Sequence, residues 1–283
     1  MKKLFLLSAL SLSISINIYS QTSLGSTPPA SHGEYFNGLK VGEWIFYQDN
    51  GKIKTKEHYV KGVKDGEFTF YTPTGEISSK GNYKNGELDG EWIFNFDDGK
   101  IKTKQHYKDG AKDGEFIFYT ANGEISSKGN YINSQLNGEW IFNSENGKIT
   151  SKENYVKDVK EGESVFYTPT GEISSKGNYK NGQMDGEWIF NFDNGKIKTK
   201  QHYVKGVKNG EFIFYNENGE ISSKGNYVNA QMDGEWIFNY DNGKIKSRGN
   251  YVKDVKDGEF IFYKEDGQIQ STFRYTNTPK EIK

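Results

Sequence analysis

The chain contains no cysteine, which excludes disulfides, thiolate metal sites and a lipidated N-terminal Cys. It also lacks a dominant charge sign. The 37 basic and 38 acidic residues are interspersed and sum to −1, so there is no electrostatic footprint for nucleic acid or an anionic membrane. Catalytic seeds are missing too: no Gly-x-Ser-x-Gly, phosphate loop or His-Glu-x-x-His occurs, and nothing else gathers an enzyme's residues. Aliphatic content is low, with hydrophobic residues at 33% and a mean hydropathy of −0.85, which raises the question of disorder. The 15% aromatic content argues the other way, because disordered chains are poor in aromatics.

Only one long hydrophobic run is present. Lys2 and Lys3 precede an apolar stretch from Leu4 to about Ile18, followed by Tyr19-Ser20-Gln21. This reads as a secretory signal peptide over 1–20, cut after Ser20; the serines at 11, 13 and 15 weaken the alternative of a membrane anchor. An exported protein is expected, placed in the periplasm, at the cell surface or secreted, with no integral membrane segment after cleavage. Residues 21–31 have linker composition, 32–276 form the folded domain, and 277–283 are a polar tail.

What fills 32–276 is repetition. A Gly-Glu pair returns from Gly42 and Gly66 to Gly258 at a constant step of 24 residues, a period that signals an array of stacked supersecondary units. Each unit reads as β. A short aromatic segment, Glu43 to Tyr47, is followed by an alternating one, Lys52 to Tyr59, with Asn50-Gly51 between them, the pattern of a hairpin. Asn-Gly and Asp-Gly reverse the chain readily, and the Pro-Thr-Gly of Pro73–Gly75 and Pro169–Gly171 suits a type I turn plus a glycine bulge. The fold class expected is all-β, about ten 24-residue hairpins forming one elongated twisted antiparallel sheet. With even-length turns, Trp44, Phe46, Ile53 and Tyr59 share one face, and Lys52, Lys54, Lys56 and His58 the other. A single hairpin does not hold itself together; lateral stacking buries the aromatic row at about 1.5–3 kcal/mol per large side chain.

A 48-residue period overlies the 24. The residue after Gly-Glu alternates Trp44, Phe68, Trp92, Phe116, Trp140, then Ser164, Trp188, Phe212, Trp236, Phe260. The column two before Tyr alternates Glu57, Gly81, Gln105, Gly129, Glu153, Gly177, Gln201, Gly225. A glycine precedes each Trp-bearing strand from Trp92 on, as if a missing side chain made room for an indole. Ser164 breaks the series. The invariant Glu43 column and the Lys56 column suggest cross-strand ion pairs, each worth about 0.2–1 kcal/mol, in place of catalysis, which needs unlike paired groups in a cleft. His58, His106 and His202 share a solvated column; four strands separate the first two, about 19 Å, too far to ligate one zinc. No metal or cofactor is expected.

The form Tyr83-x-x-Gly86-x-x-x-Gly90-Glu91-Trp92-x-Phe94-x-x-x-x-Gly99-x-Ile101 resembles the bacterial variant of the MORN repeat found in the YwqK-family antitoxin group, over about Gly33 to Tyr275. The resemblance implies a non-enzymatic scaffold that binds another protein, here in the cell envelope or at the surface. Two alternatives stand beside it. One is glycan or cell-wall binding through Trp44, Trp92, Trp140, Trp188 and Trp236, which are the candidate partner-binding residues in either case because indoles anchor partners and stack on sugars; packing within the sheet is the competing role for that row. The other is an antitoxin or immunity-type protein, for which a toxin acting in the envelope fits the signal peptide better than a cytoplasmic one.

Overall fold

The computed structural model describes residues 30–276; the signal peptide, most of the linker and the tail lie outside them. The described residues are all-β, with 21 antiparallel strands in one open sheet. It begins with β1 (Ser31–Phe36), β2 (Leu39–Tyr47), β3 (Ile53–Val60), β4 (Val63–Tyr71) and β5 (Ile77–Lys84), and ends with Ile269–Tyr275. Two compact units divide the chain, Met1–Ala111 and Lys112–Lys283. In the first, Trp44, Tyr59, Phe68 and Trp92 are buried, with Phe46, Phe70, Tyr83 and Phe94 packed against them. In the second, Trp188, Tyr203, Phe212 and Trp236 are buried among Phe190, Phe214, Tyr227 and Phe238.

Two kinds of turn alternate along the chain, and their assignment differs from the sequence expectation. The Asn-Gly and Pro-Thr-Gly turns form one class. Gly51 N–H donates to the Gln48 carbonyl at 2.9 Å and Gln48 N–H to the Lys52 carbonyl at 2.8 Å. Gly51 has φ 80° while Asn50 is absent from the positive-φ residues, which is a type I turn closed by a glycine bulge. Asn50 serves instead as an acceptor: its Oδ1 takes the Lys52 N–H at 2.9 Å. The tighter two-residue turns lie in the other row. Lys61 and Gly62 have φ 50° and 83°, the geometry of a type I′ hairpin. Gly62 N–H then donates to the Lys40 carbonyl at 2.8 Å, and Gly86 N–H to the Lys64 carbonyl at 2.8 Å, so each turn is tied to the strand of the preceding unit.

The register also corrects the expected facing of the isoleucines. Trp44 pairs with Glu57 and Phe46 with Thr55, but Tyr47 pairs with Ile53. One extra residue on β3, Lys54, sits in that step, and a one-residue slip moves a side chain to the opposite face. The Ile53 column therefore shares a face with Tyr47 and Ile45, away from Trp44 and Phe46. Ile101, Ile149 and Ile245 are exposed, and no isoleucine joins either aromatic core. Thr55, Glu57 and Tyr59 take the places opposite the aromatic strand.

A second irregularity recurs at Gly-Glu. Glu57 pairs with Phe68 and Tyr59 with Lys64, which leaves two extra residues on β4. An even slip preserves facing, so Lys64, Phe68 and Phe70 stay on one side. Gly66 occupies the bulge at φ 113°, a conformation that needs glycine.

Candidate functional site

One face of the sheet carries the aromatic columns, and each indole is set by a glycine on the strand before it. A Cβ at Gly81 would stand 2.3 Å from Trp92 Cδ2, and one at Gly177 2.3 Å from Trp188 Cδ2. The ring lies flat on the bare backbone, as the alternation of Gly with Glu or Gln suggested. Trp92 Nε1 donates to the Asn82 carbonyl at 2.9 Å, and Trp188 Nε1 to the Asn178 carbonyl at 3.0 Å. The ring meets Tyr83 edge-on at 5.3 Å and stacks with Phe94 at 6.0 Å, geometries that aromatic quadrupoles favour. All five sequence candidates, Trp44, Trp92, Trp140, Trp188 and Trp236, are only 2–3% exposed. They build the face from within; their flanking tyrosines and phenylalanines are half-buried and form its outer layer.

Sequence reasoning missed the lysines that top this layer. Lys40 Nζ lies 4.5 Å from the Trp44 ring, 4.5 Å from Phe46 and 4.8 Å from Tyr59. Lys64 sits 5.0 Å over Phe68 and 4.9 Å over Tyr83. In the second unit Lys112, Lys160, Lys208 and Lys256 repeat the arrangement. In the Trp-bearing strands after the first, the place opposite Tyr is held by Leu88, Leu136, Met184 and Met232. The signal was legible as a column alternating lysine with leucine or methionine. An ammonium over an aromatic face gains about 0.5–2 kcal/mol; Lys160 also reaches the Glu153 carboxylate.

Between the aromatic strands lies a row of buried polar groups. Glu57 accepts from Thr55 Oγ1 at 2.9 Å and from Tyr59 OH at 2.6 Å. Gln105 keeps both partners with one bond reversed: its Nε2 donates to Thr103 Oγ1 and its Oε1 accepts from Tyr107 OH, both at 2.9 Å. Burial first, then the bond to Glu57, pushes the Tyr59 phenol well above its ordinary range, so the hydroxyl remains a donor. Glu153 is bound by Tyr155 OH at 2.7 Å and by Lys160 Nζ at 2.7 Å. Burial opposes its ionisation, but the bonds from Lys160, Tyr155 and Ser151 and the Lys160 charge outweigh that and hold the carboxyl below its usual value.

The opposite face carries the Glu and Lys columns, and the ion pairs expected there are not what the register sets side by side. Glu43 faces His58 and Glu67 faces Asn82, while Lys56 faces Ile45 and Thr69. Ion pairs among the described residues join Lys160 to Glu153 and Lys100 to Asp98. The histidines of the column read as solvated have a structural role: His58 Nδ1 bonds the Asp65 carbonyl and His202 Nδ1 the Asn209 carbonyl at 2.8 Å, both at the Gly-Glu bulge. Asn154 does the same for Glu163 at 2.8 Å. No group of three or more His, Asp and Glu gathers to hold a metal among the described residues.

An open antiparallel sheet of tandem hairpins, with each tryptophan laid across a glycine of the neighbouring strand, defines a repeat scaffold whose working parts are its faces. The sequence pattern described as the MORN repeat variant matches ten segments: 40–61, 64–85, 88–109, 112–133, 136–157, 160–181, 184–205, 208–229, 232–253 and 256–277. The chain belongs to the MORN repeat family, whose members are generally non-enzymatic scaffolds that bind proteins or membranes. No curated protein matches it. Among solved structures, the TcdB2–TccC3 complex aligns over 83% of this chain and 16% of that one, at 10% identity and a TM-score of 0.21. A Tc holotoxin pore from Photorhabdus luminescens aligns over 83% and 15%, at 11% identity and a TM-score of 0.20. The chain thus spans about a sixth of these proteins.

Proposed function

We propose that this protein is an exported, non-enzymatic MORN scaffold that binds another protein through its aromatic face, in the cell envelope or at the surface. The observation that carries the reading is the outer layer of that face: half-buried Tyr and Phe rings topped by the Lys40, Lys64, Lys208 and Lys256 ammonium groups. Aromatic and cationic groups together are the composition of binding hot spots, and a partner presenting carboxylates among apolar side chains complements them. The Trp row supports this layer from beneath. Glycan stacking ranks lower, because the indole faces it would use are 2–3% exposed. Export rests on the sequence of residues 1–20, and the antitoxin-group likeness on the repeat motif.

The test is affinity capture from the native envelope with the full chain and with a Lys208→Ala/Lys256→Ala variant, whose substitutions leave the aromatic core in place. One enriched protein, lost or reduced about tenfold with the variant, is the expected result. Equal recovery by both baits would remove the aromatic face from the account. Sequencing the N-terminus of the mature protein checks export: a start at Gln21 is expected, and a retained Met1 sinks it.

A further inference from the structure

The face opposite the aromatic one carries a pocket of about 480 Å³ in the first unit, and one of its lining residues departs from the rest of its column. The column of Ile45 is aliphatic in nine of ten units (Ile93, Ile117, Ile141, Val165, Ile189, Ile213, Ile237 and Ile261 are the others) and threonine only at Thr69. Thr69 is buried and lies opposite Lys56 on one side and Lys80 on the other. At Ile93, Ile141, Val165, Ile189, Ile213 and Ile237 an aliphatic chain stands between two neighbouring cations. Here a hydroxyl and a void stand there.

The charges around the void are of both signs. Lys56 and Lys80 come from strands two apart, about 10 Å, and neither is ion-paired among the described residues. Glu43 and Glu67 complete the wall, and Tyr71 with Ile77 supplies an apolar side. Two further pockets adjoin it, one sharing Tyr71 and running to Gln48 and Pro73, the other sharing Glu67 and Lys80 and running to Asn82 and Ile93.

We propose that this pocket binds a small zwitterion of the amino-acid type, a free amino acid or a short peptide. Lys56, Lys80 and the Thr69 hydroxyl take its carboxylate, Glu43 and Glu67 take its ammonium, and Tyr71 and Ile77 pack its side chain. Its volume lies within the range of about 300–1,000 Å³ usual for ligand sites. The site lies on the face opposite the aromatic one, and the proposal stands or falls independently of protein binding there.

The experiment is a titration of the ¹⁵N-labelled full chain with L-alanine and with L-alanyl-L-alanine, beside N-acetyl-L-alanine and L-alanine methyl ester, which each lack one charge. Saturable amide shifts at Lys56, Thr69 and Lys80 are expected with a zwitterion, at a Kd of about 1 mM. The blocked compounds should bind at least about tenfold more weakly. Binding by alanine assigns the site to free amino acids, and binding by the dipeptide alone to peptides. Thr69→Ile restores the residue of the other units and should abolish the shifts in a folded protein. Lys80→Met, which leaves Thr69 in place, should weaken them about tenfold. The proposal is overturned if neither zwitterion saturates by about 50 mM, if the blocked compounds bind equally well, or if both variants titrate like the wild type.

Discussion

Glu57 in the first unit and Glu153 in the second hold the same repeat position, and each accepts a bond from the tyrosine two residues on, at 2.6 and 2.7 Å. Their neighbours differ. Opposite Glu57 stands Phe68, fully buried, with Lys64 Nζ 5.0 Å above its ring. Opposite Glu153 stands Ser164, and without a ring beneath it Lys160 reaches the carboxylate at 2.7 Å while staying 5.1 Å from Tyr179. The break in the aromatic series thus has a physical account: an ion pair on the serine strand takes the place of a ring stacked under an ammonium. The exchange is incomplete, because Ser164 Oγ is buried without a hydrogen-bond partner among the described residues. A repeat can trade dispersion for charge at one position when the lysine four residues earlier is long enough to serve either neighbour.

Removing the shared lysine separates the two arrangements most sharply. Lys160→Met leaves Glu153 buried without its cation and should cost about 3 kcal/mol, whereas Lys64→Met loses ring contacts alone and should cost about 1 kcal/mol. Urea midpoints of the two variants measure the gap; equal losses would show that the ion pair adds nothing. In a Ser164→Phe background the Lys160 effect should fall to about 1 kcal/mol, since the ring restores the first arrangement.

Acid sharpens the same comparison. The Glu153 carboxyl is held below its ordinary value of 4.5, so the stability it contributes is complete above that pH and fades as pH falls through the lowered folded value. The difference in urea midpoint between wild type and Glu153→Gln should therefore be constant near neutrality and shrink in acid. Parallel curves down to about pH 3 would contradict the assignment.

Ser164→Ala removes a buried hydroxyl that has nothing to bond. A gain of about 1 kcal/mol is expected, read as a higher melting temperature; a loss would mean the hydroxyl has a partner. The smallest effect belongs to Glu57→Gln. Gln105 and Gln201 already bond the same two partners, Gln201 Nε2 donating to Thr199 Oγ1 at 2.8 Å and its Oε1 accepting from Tyr203 OH at 2.6 Å. With the Thr55 hydroxyl turned to accept, a change within about 0.5 kcal/mol is therefore expected, and hydrogen exchange at Tyr59 should stay as slow as in wild type.

Much of this was legible in residue columns. The Gly81 and Gly177 positions announced the indoles that lie on them, and the 24-residue step announced the hairpins. The facing of Ile53 was not legible, because a single bulged residue, Lys54, reverses it and leaves no mark in composition. Asn-Gly supports both a type I′ turn and a type I turn with a glycine bulge, and only the hydrogen bonds from Gln48 distinguish them. The candidate sites divide in the same way. Trp44 and its column were visible as a row, but their burial depends on how a ring folds back over the preceding strand. Thr69 is the one threonine in an aliphatic column, and its meaning appears only with Lys56 and Lys80 on either side.

By itself the sequence determined the strand class, the unit length and the pairing of glycine with tryptophan, because these follow from local patterns repeated along the chain. The tertiary structure decided which columns face together, which lysine finds a ring and which a carboxylate, and where a pocket opens. Those outcomes turn on one-residue slips in register and on space between strands, quantities that arise only when neighbouring hairpins are laid side by side.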